Sequence, residues 1–500
     1  MSLPFPEYED HDATSLAELV RRGEMTSREL VEAAIARIEL RDPVLNAVVW
    51  RRFEEALVDA RAPQAGPFTG VPYLIKDLTP EQGVPSTFGS VLFRDYLGEV
   101  TPEVILRFRQ SGLISLGRTN TSELGLLPTT EPTLFGPTRN PWNPAHSSGG
   151  SSGGAAAAVA AGMLPMAMAT DGGGSIRIPA SACGLYGLKP SRSRVPGYPP
   201  HQANYVANTL CVSRSVRDTA RLLDAISGGI PGDRFTVPDP ERPFGDEVDT
   251  DPGPLRIAFT LHDFQDRPLH PDCQRAVRTT ALLLEELGHH VEEARPQLDG
   301  HATGEAFLTF WQAMPQAAVL TVLDTLGQRS PQIARMRGLV GDVRTLKTIV
   351  AINGRRSGLD ALERFTMQLV TAGFALTPGD LLRAETYLQN VAYELAAFLG
   401  DWDMFLSPTL GSPPVRLGTI DQSGSLAQTE EQLNRYVPFT PLANFAGLPA
   451  MSVPLSWTRA GLPIGSHFIG RSAGEAELLR LAGQLERANP WFDKRPNVPG

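Results

Sequence analysis

The chain has 500 residues, of which 42% are hydrophobic and 20% charged, with a formal net charge of −10 and a pI near 5.5. An acidic chain with no basic run excludes nucleic acid as the main partner, and ordinary charged and apolar fractions exclude extended disorder. The length allows one large α/β unit or up to about three domains.

The N-terminus, MSLPFPEYEDHD, has neither a basic n-region nor an apolar h-region, so it does not read as a signal peptide. Thr26 and Glu29 have capping-box spacing, and Leu30, Ala34 and Ile38 recur with Val31 and Ile35 as one apolar stripe. Arg41-Asp42-Pro43 is expected to end that helix. Val71 to Leu78, VPYLIKDL, predicts a buried strand with one polar intruder, Lys76. Val104 to Phe108 predicts a helix and Leu113 to Gly117 a strand. Residues 128–154 are rich in Pro, Gly, Ser, Thr and Asn and predict loop. Gly153 and Gly154 lead into an alanine-rich buried helix. Met163 to Thr170 predicts a strand that breaks at Asp171-Gly172-Gly173-Gly174-Ser175. The run from Ala155 to Thr170, interrupted by Gly162 and Pro165, is too short and weakly apolar to span a bilayer, so no membrane is expected.

Residues 231–254, dense in Pro and Asp, read as a surface connection. Leu255 to Phe259, a helix from about Pro271 to Leu287 with Gly288 past its end, and Val291 form a β-α-β pattern. Residues 300–400 read as largely helical, and Asp403 to Leu406, Ala450 to Leu455 and Ile464 to Ile469 as late strands. This alternation gives an α/β fold with sheet between helix layers. The only cysteines, Cys183, Cys211 and Cys273, are few, odd in number and far apart, which points to a reducing cytoplasm without a disulfide framework. Cys183 reads as a small buried hydrophobe, and no HExxH or Cys/His cluster indicates a metal site.

Three features can carry chemistry. Lys76 is one of only four lysines, with Lys189, Lys347 and Lys494, and it sits inside an apolar run. Burial disfavours its charged form, and a neutral amine can act as a general base where arginine cannot. The plain alternative is a lysine that reaches solvent or pairs with Asp77. The second feature, Gly149-Gly150-Ser151-Ser152-Gly153-Gly154, suits a backbone that approaches something closely, or a flexible linker. It also matches G-x-S-x-G, the nucleophile elbow, but that motif needs a buried strand before it and here follows the proline-rich RNPWNPAHSS. Ser151 is therefore not read as an elbow nucleophile. The third, Asp171-Gly172-Gly173-Gly174-Ser175-Ile176-Arg177, can turn backbone N–H groups to one side as an oxyanion hole, or can be a tight turn with an incidental serine. Asp171 and Arg177 read as a loop-holding ion pair. Among nine histidines only His146 lies near the serine-rich region, and it reads as loop structure.

Together these features resemble the amidase signature family. The run GGSSGGAAAAVAAGMLPMAMATDGGGSIRIPASACGLYGLKPS, Gly149 to Ser191, carries the likeness. LNAVV, GVPYLIKDL, GRTNTSELG, FGPTRNPWN, SPTLGSPP, PLANFAGLPAMSVPL and GLPIGSHFIGR extend it over nearly the whole chain except about 230–400. The resemblance implies a single α/β/α domain over 1–500 with a large mixed sheet: N-terminal helices at 1–60, a matched core at 61–230 and 400–500, and a variable, mostly helical middle at 231–400. It places the family's catalytic lysine on Lys76, its bridging cis-peptide serine on Ser151, its nucleophile on Ser175 and its oxyanion-hole amides on Gly172, Gly173, Gly174 and Ser175. The implied reaction is hydrolysis of a small amide through an acyl-enzyme, with no cofactor or metal. The resemblance allows a homodimer. Position 172, commonly larger, is glycine here, which predicts a looser loop or wider acyl site. His467 stands where glutamine is common. Details such as GPFTGVPYLIKDL, TTEP and RIPAS look most like the 6-aminohexanoate cyclic dimer hydrolases. The rival readings are the glutaminase-type subunit of a tRNA-dependent amidotransferase, a non-catalytic binding protein, and an esterase using Ser151.

Overall fold

A computed structural model describes residues 3–197, 205–329 and 361–498. Thr26 caps the first long helix, Ser27–Leu45, through the expected reciprocal bonds with Glu29. The helix does not stop before Pro43 but runs through it. Proline lacks only the one N–H that would bond Glu39, and both residues are exposed, so water can take that carbonyl. The stop comes at Asn46, which turns into the left-handed region, while the Asp42 carboxylate accepts from the Ala47 and Val48 N–H groups at 2.7 and 3.0 Å.

Among the described residues thirteen strands follow in chain order. They are β1 (Val48–Arg51), β2 (Pro72–Lys76), β3 (Ile114–Thr119), β4 (Arg139–Asn140), β5 (Asn143–Ser147), β6 (Met166–Asp171) and β7 (Tyr186–Lys189), then β8 (Asn208–Ser213), β9 (Arg256–Phe259), β10 (His290–Glu293), β11 (Met404–Pro408), β12 (Ala450–Trp457) and β13 (Pro463–Gly470). Eight of them make one mixed sheet in the order β10-β9-β11-β13-β12-β7-β8-β6. Its β10, β9 and β11 run parallel, as the β-α-β pattern of residues 255–291 predicts, and the other neighbours pair antiparallel. A second sheet has the order β1-β3-β2. Its edge strand β2 packs beside β6, the edge of the large sheet. Every residue of β2 is buried, so its continuous apolar run has apolar neighbours on both faces.

The alanine-rich segment forms a wholly buried helix, Gly153–Ala160, and side chains this small let it lie close against the sheet. Within the expected loop 128–154, β4 and β5 form a short hairpin. The helices expected over 300–400 appear as Gly300–Arg329, Arg364–Gly373 and Pro378–Asp401, and residues 330–360 lie outside the described residues. Among the described residues no helix is long and apolar enough to cross a membrane. Cys183, Cys211 and Cys273 are buried free thiols.

Candidate active site

The seam between the two sheets places the polar intruder of β2. Lys76 is fully buried, with Nζ 2.7 Å from Ser151 Oγ and 2.9 Å from Thr170 Oγ1 on β6. It neither reaches solvent nor pairs with Asp77, whose carboxylate accepts from Thr87 and lies near Arg118. Burial pushes the Lys76 amine down from 10.5 to about 7, against a smaller upward pull from the Asp171 charge. A substantial neutral fraction therefore exists at neutral pH.

Ser151 sits on a loop that only glycine permits. The Gly150–Ser151 peptide is cis. A Cβ on Gly150 would meet the Leu127 and Thr129 backbone at 2.7 Å, so the serine loop rests directly on main chain. Thr130 props it from below: its hydroxyl reaches the carbonyls of Gly149 and Ser151 and accepts from the Gly153 N–H at 3.1 Å. The segment is a fixed shelf and not a linker.

Ser175 follows β6 across the triple-glycine turn and faces a cavity of about 330 Å³. Asp171 organises that turn. Its carboxylate accepts from the N–H groups of Gly174 (2.7 Å) and Ile176 (3.2 Å), from Arg177 Nε (2.9 Å) and Nη2 (3.0 Å), and from Asn444 Nδ2 (2.8 Å). The Arg177 charge and these bonds hold the carboxyl far below the usual range, although burial opposes them. The ion pair thus holds the loop, as its sequence pattern predicts. Of the four amides expected at an oxyanion, the Gly174 N–H donates to the Asp171 carboxylate, which sets it apart from Gly172, Gly173 and Ser175. Thr440 fixes the loop from the other side by donating to the Gly173 carbonyl at 2.7 Å.

Trp311 bounds the space beside Gly172. A Cβ there would lie 3.6 Å from Trp311 Cη2, and one on Gly173 would lie 3.4 Å from Phe307 Cζ. These two rings stack with centroids 5.1 Å apart, so an indole from the middle region fills the space a side chain at 172 would take. The remaining walls are mainly apolar, with Leu126, Leu127, Ile178, Leu308 and Phe365, and the mouth carries Glu305, Glu430 and Glu431. No arginine or lysine lines the cavity among the described residues. His146 is not among the lining residues and instead bridges Arg416. Sequence reasoning missed Thr130, Thr170, Thr440, Asn444 and Trp311. Thr130, Thr170 and Asn444 lay in the matched segments TTEP, the Gly149–Ser191 run and PLANFAGLPAMSVPL, whereas Thr440 and Trp311 had no such signal.

A glycine turn ending in serine, a second serine and a buried lysine on an α/β sheet define an amide-hydrolysing class of enzyme. The Amidase family model matches residues 29–479, and the chain belongs to the amidase signature family. It is an amidase. A 6-aminohexanoate-cyclic-dimer hydrolase from Paenarthrobacter ureafaciens is 35% identical over 97% of this chain and 96% of its own. A 6-aminohexanoate cyclic dimer hydrolase solved with substrate superimposes with a TM-score of 0.86 at 33% identity, covering 98% of this chain and all of that one. A bacterial aryl acylamidase of the amidase signature family gives 0.79 at 29% identity, covering 98% of each chain.

Proposed function

We propose that the chain hydrolyses uncharged aliphatic amides, cyclic ones included, through an acyl-enzyme on Ser175, with activity toward compounds of the 6-aminohexanoate cyclic dimer type. The observation that carries the chemistry is Lys76 Nζ at 2.7 Å from Ser151 Oγ in a fully buried setting. Neutral Lys76 has one lone pair and two N–H donors. It donates to Thr170 and accepts from the Ser151 hydroxyl, and Ser151 in turn accepts the Ser175 proton as Ser175 attacks the carbonyl. The Ser151–Ser175 hydrogen bond forms with substrate in place, as catalytic hydrogen bonds commonly tighten only in the complex. The amides of Gly172, Gly173 and Ser175 receive the developing oxyanion, each donor worth on the order of 3 kcal/mol. The relay then returns a proton to the leaving nitrogen. Water, deprotonated along the same path, releases the acid.

The cavity supports the substrate class. Its volume suits a small organic molecule, and its walls offer apolar contact with few polar anchors. Glutamine brings a carboxylate, and the described residues of the cavity offer it no Arg or Lys and place three glutamates at its mouth. This weighs against a glutaminase-type amidotransferase subunit. Three buried free thiols fit a reducing cytoplasm as the place of action.

The test has two parts. A fluorophosphonate should label Ser175, with labelling lost in Ser175→Ala and strongly slowed in Lys76→Met. A panel of cyclic and linear aliphatic amides, aryl amides and glutamine, assayed for released amine, should rank the neutral aliphatic amides first. Label on Ser151 with active Ser175→Ala overturns the chemistry, and glutamine as best substrate overturns the substrate class.

A further inference from the structure

His467 is a fully buried histidine that the relay does not use. It lies on β13 between Ser407 of β11 and Ser452 of β12 in the sheet register. Its Nε2 is 2.9 Å from Arg177 Nη1, and its Nδ1 is 3.2 Å from Ser407 Oγ. A guanidinium can only donate. Nε2 must therefore accept, which puts the ring proton on Nδ1, where it donates to the serine hydroxyl. The contact fixes both the charge state and the tautomer of the ring.

Arg177 is the other half of this arrangement. Its Nε and Nη2 bind Asp171, Nη2 also reaches Asn444 Oδ1 at 2.6 Å, and Nη1 has His467. The histidine thus completes the set that aims the guanidinium at Asp171. Asp171 in turn pins the Gly174 and Ile176 amides on either side of Ser175. We propose that His467, as a neutral Nδ1–H imidazole, is a positioning residue for the oxyanion turn, and that its protonation in acid disengages Arg177 and loosens that turn. The proposal rests on the amidase reading of the same site.

The charged groups facing the ring are Arg177 from the helix Arg177–Cys183, Asp171 from β6 and Lys189 from β7. Arg177 is cationic, burial pushes the Lys189 amine down from 10.5 to about 7 so that it gains charge in acid, and the one anion is already committed to Arg177. Burial and the Arg177 charge hold the imidazole well below its usual value, and Lys189 adds to that effect. A protonated ring would carry an N–H against a donor-only guanidinium, so the 2.9 Å contact cannot survive protonation. Glutamine offers the same pair of functions without titrating: a carbonyl oxygen for Arg177 and an amide N–H for Ser407.

The experiment compares wild type, His467→Gln and His467→Leu with any amide the wild type turns over. The expected result is that His467→Gln restores the hold, with kcat within about threefold of wild type at pH 8. Its acid limb should keep the single-proton slope that Lys76 imposes, while the wild-type limb steepens toward two protons at lower pH. His467→Leu should lose at least tenfold in kcat at pH 8 with KM little changed. Histidine 15N NMR, with His467→Gln identifying the missing resonance, should show an Nδ1–H tautomer. Superimposable pH–rate profiles of wild type and His467→Gln, or an Nε2–H tautomer, overturn the proposal even if His467→Leu fails to fold. Failure of the underlying site reading is distinguishable, because it shows itself as no amide turnover by the wild type.

Discussion

Replacing Lys76 by methionine separates the cost of the buried amine from its use. In the unfolded chain lysine titrates near 10.5, and in the fold it is pushed down to about 7. Keeping it neutral at pH 7 therefore costs about 5 kcal/mol. The group is fully buried, so solvent does not screen this cost. Methionine has a similar length and no proton to lose. It also leaves the Ser151 and Thr170 hydroxyls without the amine, at about 1–3 kcal/mol each. At the middle of that hydrogen-bond range the net expectation at pH 7 is a variant more stable by about 1 kcal/mol and slower by at least two orders of magnitude. The sign with pH follows from linkage. Between pH 7 and 10.5 the unfolded chain binds the extra proton, so wild-type stability gains from this group as pH rises. The advantage of Lys76→Met should shrink by about 1.4 kcal/mol per pH unit and reverse within about one unit above pH 7; by pH 10.5 only the lost hydrogen bonds remain. Urea or thermal unfolding of both proteins at pH 7, 8.5 and 10 measures it. A stability difference that does not change across that range would refute the argument that Lys76 is held neutral by burial.

Thr170→Val removes the second partner of Lys76 without changing side-chain shape much and should lower kcat about tenfold, read in steady-state kinetics with substrate saturating. Gly172→Thr places a side chain against the Trp311 indole and should lower kcat/KM at least tenfold; the loss should be much smaller in a Trp311→Ala background, a coupling that a double-mutant cycle reads. Trp311→Ala alone should shift preference toward bulkier acyl groups in competition assays. Burial, with the neighbouring Glu363 charge adding to it, raises the Glu123 carboxyl from 4.5 to about 8. Stability from this proton is present below pH 4.5 and is lost as pH rises through 8, so Glu123→Gln should raise Tm at pH 8 and change it little at pH 4.5.

Lys76, Ser151 and Ser175 were legible because each breaks a local pattern. Lys76 interrupts an apolar strand, Ser151 sits between paired glycines, and Ser175 ends a strand at a turn with three of them. The sheet was legible from β9 onward through its alternation with helices. What stayed hidden depends on contacts across the chain. Asn444 reaches Asp171 from 273 residues away, and no periodicity announces it. Trp311 belongs to a helix whose other residues give no hint that a ring covers Gly172. Which of four adjacent amides is free is equally unreadable, because the Asp171 carboxylate chooses Gly174 only once the turn is made. The run through Pro43 was missed for a simpler reason: near a helix end the proline removes one bond that water can replace.

The cavity wall contributed by the helix Gly300–Arg329 has a consequence for how this enzyme could change its diet. His301, Gly304, Glu305, Leu308 and Trp311 face the cavity at three- and four-residue spacing. One inserted residue ahead of Leu308 would turn everything beyond it by about 100° and swing the indole off the glycine turn. The residues proposed to break the bond, Lys76, Ser151 and Ser175, lie outside that helix and would keep their places in the chain. Lineages could thus explore new amides by indels in one helix while inheriting the reaction intact.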